Sequence, residues 1–289
     1  VDTRIAQTSG APPSWRHRDA GWKPALLVYG SIREEKCVLK LIYSIAALAV
    51  MASSSITAQA AGLKTFTQDG YSFKYPPSWG TIKFSNVKAQ ALDNPTDIPD
   101  GVAPAHVECR FSQSKAEIYF YPVKDAQTAD FKKKYAVVSE AANSLKKLLQ
   151  QKTAAPKELP LLPWGDTGTL LNARIKYVVD GNVHFVRCLS QYNAEPTPIN
   201  NSDLRYSAQG LTKDEKYYVS AYLPAHAQGM PASDQTSSWS KPRYKQFSKT
   251  FNRYCAGVRQ EITKMSEKSF TPALAEYDAM VASIQTPVK

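Results

Sequence analysis

Beyond residue 60, side chains with ligand chemistry gather closely once, at His106, Glu108 and Cys109. Side chains alternate along an extended strand, so His106 and Glu108 share one face while Cys109 points to the other. That geometry argues against one metal held by all three. Adding His184 would make a zinc-type set only if the fold laid its strand alongside. Satisfied strand residues are the simpler expectation, and no metal or other cofactor is assigned. The chain has no GxSxG, HExxH, P-loop or GxGxxG. Beyond residue 60 the histidines are His106, His184 and His226. That thin supply of general bases leaves carboxylate chemistry as the enzymatic alternative, and no catalytic residue is nominated.

A second constellation is cationic. The strand-like runs Leu170 to Val179 and Val183 to Tyr192 flank Asp180-Gly181, a favoured two-residue hairpin turn. Counting outward from Val179 opposite Asn182 pairs Tyr177 with His184, Ile175 with Val186, and Ala173 with Cys188 on the expected core side. The other face then sets Arg174 opposite Arg187, and Lys176 opposite Phe185. Like charges across a strand pair are unfavourable unless an anion compensates. A ligand carboxylate or phosphate could supply it, since guanidinium forks suit such groups. So could an Asp or Glu on a covering helix. Read as an anion-recognition patch, Arg174, Lys176 and Arg187 predict that removing both arginines abolishes binding and leaves stability unchanged or higher.

The elements that would position these groups follow from periodicity. Short β-prone runs at Lys64 to Thr67 and Tyr71 to Tyr75 surround the turn signal Asp69-Gly70. Further strands are expected at Gly80 to Phe84, His106 to Phe111 and Ala116 to Val123, and a second hairpin at Leu204 to Leu211 and Lys216 to Leu223. One helix is expected over Gln127 to Gln151, where Phe131, Tyr135, Val138, Ala142, Leu145 and Leu149 form an apolar stripe. Lys132, Lys133, Lys146 and Lys147 lie off it as a solvated face. Residues 152–168 and 225–243 read as a connector and a polar loop. Two helices close the chain, Phe247 to Met265 and one N-capped by Thr271 with Pro272 at its first position. Tyr218 and Tyr222 are expected in a core if helices cover their face. The fold class is α+β, an antiparallel sheet flanked by helices.

The first 60 residues read as an address. Lys36 and Lys40, the apolar run Leu41 to Met51 and the small-x-small site Ala58-Gln59-Ala60 follow the order of a secretory signal over 38–60. An apolar core of 11 residues falls short of the roughly 20 a spanning helix needs, so no anchor is expected after cleavage. Residues 1–37 lack periodicity and begin with Val, which suggests a start-site artefact or a disordered extension. Cleavage after Ala60 leaves 229 of the 289 residues as one domain, 61–289, able to bury about 70% of its unfolded surface. The whole chain carries a formal charge of +11, and the mature part keeps a surplus of eight basic residues. Sec-type export to the periplasm or beyond argues against nucleic acid. It favours a protein or an anionic envelope component, such as lipid headgroups or cell-wall polymers. Among Cys109, Cys188 and Cys255, one disulfide with an odd thiol fits an oxidising compartment. Cys109 with Cys188 is the nominated pair, although spacing alone fixes no pairing, and three buried thiols is the alternative.

The stretch Phe66-Thr-Gln-Asp-Gly-Tyr-Ser-Phe-Lys-Tyr-Pro-Pro-Ser-Trp79 resembles the opening hairpin of PsbP-like proteins, and Phe270-Thr-Pro-Ala-Leu-Ala-Glu-Tyr-Asp-Ala-Met-Val-Ala-Ser-Ile284 resembles their closing helix. Together they span about thirty residues of the mature chain. The resemblance implies an α/β/α sandwich and an exported, non-enzymatic accessory or binding protein. The loops at 86–104, 152–168 and 225–243 make this chain bulkier than a typical member. No residue matches a photosystem II docking or ion-retaining role, and the middle looks more like an uncharacterised group of secreted bacterial proteins. The leading expectation is a non-enzymatic binding protein of the cell envelope. The alternatives are an envelope hydrolase with unidentified carboxylates and a small-molecule carrier. Carboxylates converging in a cleft would favour the hydrolase, a deep apolar pocket the carrier, and a flat basic or aromatic face the binding protein.

Overall fold

The computed structural model describes residues 62–90, 102–154, 156, 158–163 and 168–287. The readings over 1–37 and 38–60 lie outside the described residues. The chain opens with a hairpin, β1 (Lys64–Gln68) and β2 (Tyr71–Tyr75), around Asp69 and Gly70. Both turn residues have positive φ, as a tight hairpin of this twist requires. A single antiparallel sheet of seven strands follows: β3 (Ile82–Val87), β4 (His106–Phe111), β5 (Glu117–Pro122), β6 (Gly168–Val178), β7 (Val183–Asn193), β8 (Arg205–Thr212) and β9 (Tyr217–Pro224). Their order across the sheet is β3-β4-β5-β9-β8-β7-β6. A two-residue ladder, β10 (His226–Ala227) with β11 (Phe270–Thr271), ties the loop after β9 to the closing segment. The architecture is α+β, an antiparallel sheet with helices on both faces.

Alternation within the strands divides two cores. On one face Cys109, Ile118, Ala221 and Ala208 line up in register and pack beneath the β1–β2 hairpin and the two closing helices, α3 (Lys241–Lys264) and α4 (Leu274–Ala282). On the other face Tyr121, Tyr218, Leu211 and Val186 pack beneath α2 (Ala136–Gln151) and the connector after it. Tyr218 and Tyr222 are therefore core residues, because α2 and the connector cover them. Gln209 organises this second core: its Oε1 accepts from the Tyr218 hydroxyl and Ser220 Oγ at 2.9 Å, and from the Leu162 amide at 3.3 Å. The Tyr222 hydroxyl donates to the Leu162 carbonyl at 2.7 Å. A buried amide with its partners supplied holds an irregular segment against a sheet.

Several boundaries differ from the periodic reading. The helix expected over 127–151 is two, α1 (Ala129–Lys134) and α2, broken at Tyr135 where φ is −135°. The second closing helix starts at Leu274 with Ala273 as N-cap, because Thr271 is committed to the ladder with His226. The third helix starts at Lys241, six residues before its apolar stripe, with Pro in its first turn. Proline costs nothing there, since that amide lacks an intrahelical partner anyway.

Candidate functional site

The hairpin of β6 and β7 carries the three predicted cations in a register other than the expected one. Val178 pairs with Phe185, Tyr177 with Val186 and Lys176 with Arg187. A two-residue turn of the expected kind needs positive φ at its centre, and neither Asp180 nor Gly181 has it. Gly181 serves another purpose, since a Cβ there would lie 2.2 Å from the Ala282 carbonyl oxygen at the end of α4. The register shifts again between Ala173 and Lys176, where Arg174 bulges with φ of +53°. Arg174 and Arg187 are therefore not cross-strand partners, and Lys176 is the cation opposite Arg187.

The compensating carboxylates come from the chain itself. Asp278 of α4 accepts from Arg187 Nε at 2.9 Å and the Tyr206 hydroxyl at 2.9 Å through Oδ1, and from Lys176 Nζ at 2.7 Å through Oδ2. Arg187 is only 3% exposed. Burial pushes the Asp278 carboxyl up, but the hydrogen bonds from Arg187, Lys176 and Tyr206 outweigh it and hold the group below the ordinary carboxylate value. Arg174 instead donates to the Met265 carbonyl at 2.6 Å and the Thr263 carbonyl at 3.3 Å, and pairs with Glu267. Those carbonyls end α3, so the guanidinium caps that helix where its dipole favours a cation. Arg174, Lys176 and Arg187 together bind α3 and α4 to the sheet.

The other nominated residues separate. Cys109 and Cys188 are free, and so is Cys255. The nominated disulfide is corrected: Cys109 on β4 and Cys188 on β7 have three strands between them, a separation near 19 Å at ordinary strand spacing, and a disulfide needs Cα atoms within about 7 Å. They also face opposite sides, since Cys109 lines up through Ile118, Ala221 and Ala208 with Arg187 rather than with its neighbour Cys188. Burial pushes both thiols up to about 12. His106 and Glu108 do share a face opposite Cys109, while His184 lies on β7, four strand spacings from His106. Among the described residues no three His, Cys, Asp or Glu side chains converge as metal ligands.

The surface feature that sequence reading missed is on α3. Lys241, Lys245, Lys249 and Arg253 recur at four-residue steps and are all exposed. None has an ion-pair partner among the described residues. Four residues advance a helix by about 6 Å and turn it about 40° past a full turn, so the row is about 18 Å long and winds about a third of the way around α3. Like charges at that spacing repel. The first turn also has no acidic residue, and cations there oppose the helix dipole. Glu261 is the one acidic residue of α3, two turns beyond the row. The apolar side of α3, with Cys255, Val258 and Ile262, is turned to the body. Its start is steadied by aromatic contacts of Phe247 with Trp239 and with Tyr254, both at 5.2 Å, and by Arg243 over the Trp239 ring. The four-residue cation spacing was visible in the sequence. It fell partly inside a stretch read as loop because the apolar periodicity begins only at Phe247.

No family model matches the chain, and no curated protein matches it. Among solved structures it is similar to the solution structure of cyanobacterial PsbP (CyanoP) from Synechocystis sp. PCC 6803, at 11% identity, over 76% of this chain and 97% of that one, with a TM-score of 0.26. Among the described residues no helix is long and apolar enough to cross a membrane. No residue of the site is assigned from the likeness.

Proposed function

We propose that this is an exported, non-enzymatic binding protein of the cell envelope that docks on anionic membrane surfaces through α3. The observation that carries the reading is the exposed row Lys241, Lys245, Lys249 and Arg253 with no carboxylate partner among the described residues. A row of cations kept at an electrostatic cost fits a function outside the chain, and the headgroup phosphates of a membrane are an extended anionic partner within reach of these long, flexible side chains. Each Lys or Arg near such a surface contributes about 1 kcal/mol. Docking is electrostatic rather than insertional, because the apolar side of α3 is already buried against the body. The exposed basic side of α3 supports a binding protein over a hydrolase or a carrier. Membership of the PsbP-like group is part of the proposal and rests on the two terminal stretches, which meet in the fold: Trp79 and Tyr277 lie 5.9 Å apart.

Residues 61–289 mixed with vesicles test the reading. Binding to phosphatidylglycerol-containing vesicles, absent with pure phosphatidylcholine and released as salt shortens the Debye length from about 10 Å at 0.1 M to about 3 Å at 1 M, is expected. Equal binding to both vesicles would contradict it. So would binding to soluble polyphosphate with none to vesicles.

A further inference from the structure

The face of the sheet opposite α3 and α4 holds a cavity of about 300 Å³. Its floor is the outer side of β4 and β5, with His106, Glu108, Tyr119 and Tyr121, and its apolar walls include Val138 of α2 and Leu162 of the connector. Three polar atoms there have hydrogen-bonding capacity left over. His106 Nδ1 lies 2.9 Å from the Pro104 carbonyl, which can only accept, so Nδ1 carries the proton. In the neutral ring Nε2 is then a bare acceptor. Burial lowers the His106 pKa below its ordinary value against the opposing pull of that hydrogen bond and of Glu108, which keeps the ring neutral. Glu108 gives Oε1 to Arg110 and leaves Oε2 without a partner among the described residues.

Tyr121 supplies the third atom. The residue is 1% exposed, and its hydroxyl makes no hydrogen bond among the described residues. Yet no buried side-chain polar atom in the described protein lacks a partner. The Tyr121 hydroxyl must therefore reach open space, and the cavity it lines is that space. The edge of this core is thus polar where it meets a void, although Tyr119 beside it and Gln209, which holds Leu162, are hydrogen-bonded.

We propose that this cavity binds a neutral, hydroxyl-rich ring of monosaccharide size, donating to His106 Nε2 and Glu108 Oε2 and pairing with the Tyr121 hydroxyl. Two acceptors and one hydroxyl call for a ligand with several donors. A purely apolar ligand would leave all three unpaired. An anion would meet Glu108 and Glu117 with only Arg110 between them, at 3.5 Å from Glu117. A cation would find the Glu108 charge already matched by Arg110. The volume lies at the low end of the roughly 300–1,000 Å³ of small-molecule sites, which admits one ring rather than a chain.

The test uses the full chain with glucose, galactose and N-acetylglucosamine by saturation-transfer NMR and calorimetry, with choline as a cationic probe. At least one sugar should bind with a dissociation constant near 1 mM or below. Tyr121→Phe removes one oxygen and keeps the ring, and Glu108→Gln removes the charge; each should weaken binding about tenfold with an unchanged far-ultraviolet circular dichroism spectrum. A four-residue α3 variant should leave sugar binding unaltered, which separates this site from the membrane reading. No sugar bound at 10 mM, choline bound in their place, or sugar binding intact in both variants would each overturn the proposal.

Discussion

Asp278 decides whether Arg187 can stay where β7 puts it. Arg187 is buried, and its Nε and one terminal nitrogen go to Asp278 while the other goes to the Arg174 carbonyl at 2.6 Å. Breaking such a pair by removing one partner costs about 3–5 kcal/mol, because the remaining charge stays buried and uncompensated. Arg187→Ala should therefore lower unfolding free energy by about that much in urea titration, partly offset by Lys176, which still reaches Asp278. This runs against the expectation for an external-anion patch, in which removing Arg174 and Arg187 together leaves stability unchanged or higher. A pH dependence follows from the same carboxylate. Its folded pKa lies below the ordinary value, so its stabilisation is complete above the unfolded carboxylate pKa and drains away as pH falls through the folded one. Comparing acid unfolding of the wild type with Asp278→Asn should show a steeper loss below about pH 4 in the wild type; parallel curves would contradict it. Neither partner announced the other in the sequence, since Arg187 and Asp278 are 91 positions apart. The face shared by His106 and Glu108 was legible, because alternation along one strand is local.

Elements were legible where their signal was self-contained. The hairpin of β1 and β2 and the strands β4, β5, β8 and β9 lie where alternation and turn residues put them. The β6–β7 register was not legible, because it depends on α4. Gly181 admits the Ala282 carbonyl rather than a tight turn, and Gly181→Ala should force these two backbones apart. Overpacking of this kind costs about 1–3 kcal/mol, and thermal unfolding should show it, whereas an unchanged midpoint would mean that the hairpin tip is not held by α4. The break at Tyr135 was equally hidden, since the apolar stripe runs through it without interruption. The start of α3 was hidden for the opposite reason. Ser240, Lys241 and Pro242 signal a helix start by local chemistry, but no apolar residue joins them to the stripe until Phe247.

On the scale of the whole molecule, one sheet separates two cores and two different surfaces. One face is closed by α3 and α4, clamped through Arg174, Lys176, Arg187, Glu267 and Asp278, and presents the basic row outward. The other is closed by α2 and the connector over a core seamed with hydrogen bonds, with the His106–Tyr121 cavity at its edge. The surplus of basic residues was plain from composition, but composition does not say whether charge is dispersed or aligned. The fold aligns four of those cations on one helix.

The most direct test keeps total charge fixed and moves only its arrangement. Lys241, Lys245, Lys249 and Arg253 would be changed to Gln in residues 61–289, and compared with a control in which Lys83, Lys132, Lys133 and Lys147 are changed to Gln. All eight positions are exposed, so both variants should fold alike. At about 1 kcal/mol for each cation at an anionic surface, partition onto phosphatidylglycerol vesicles should fall about 100- to 1,000-fold in the α3 variant and far less in the control. Equal losses in the two variants would mean that net charge alone drives the association and that α3 is no docking surface.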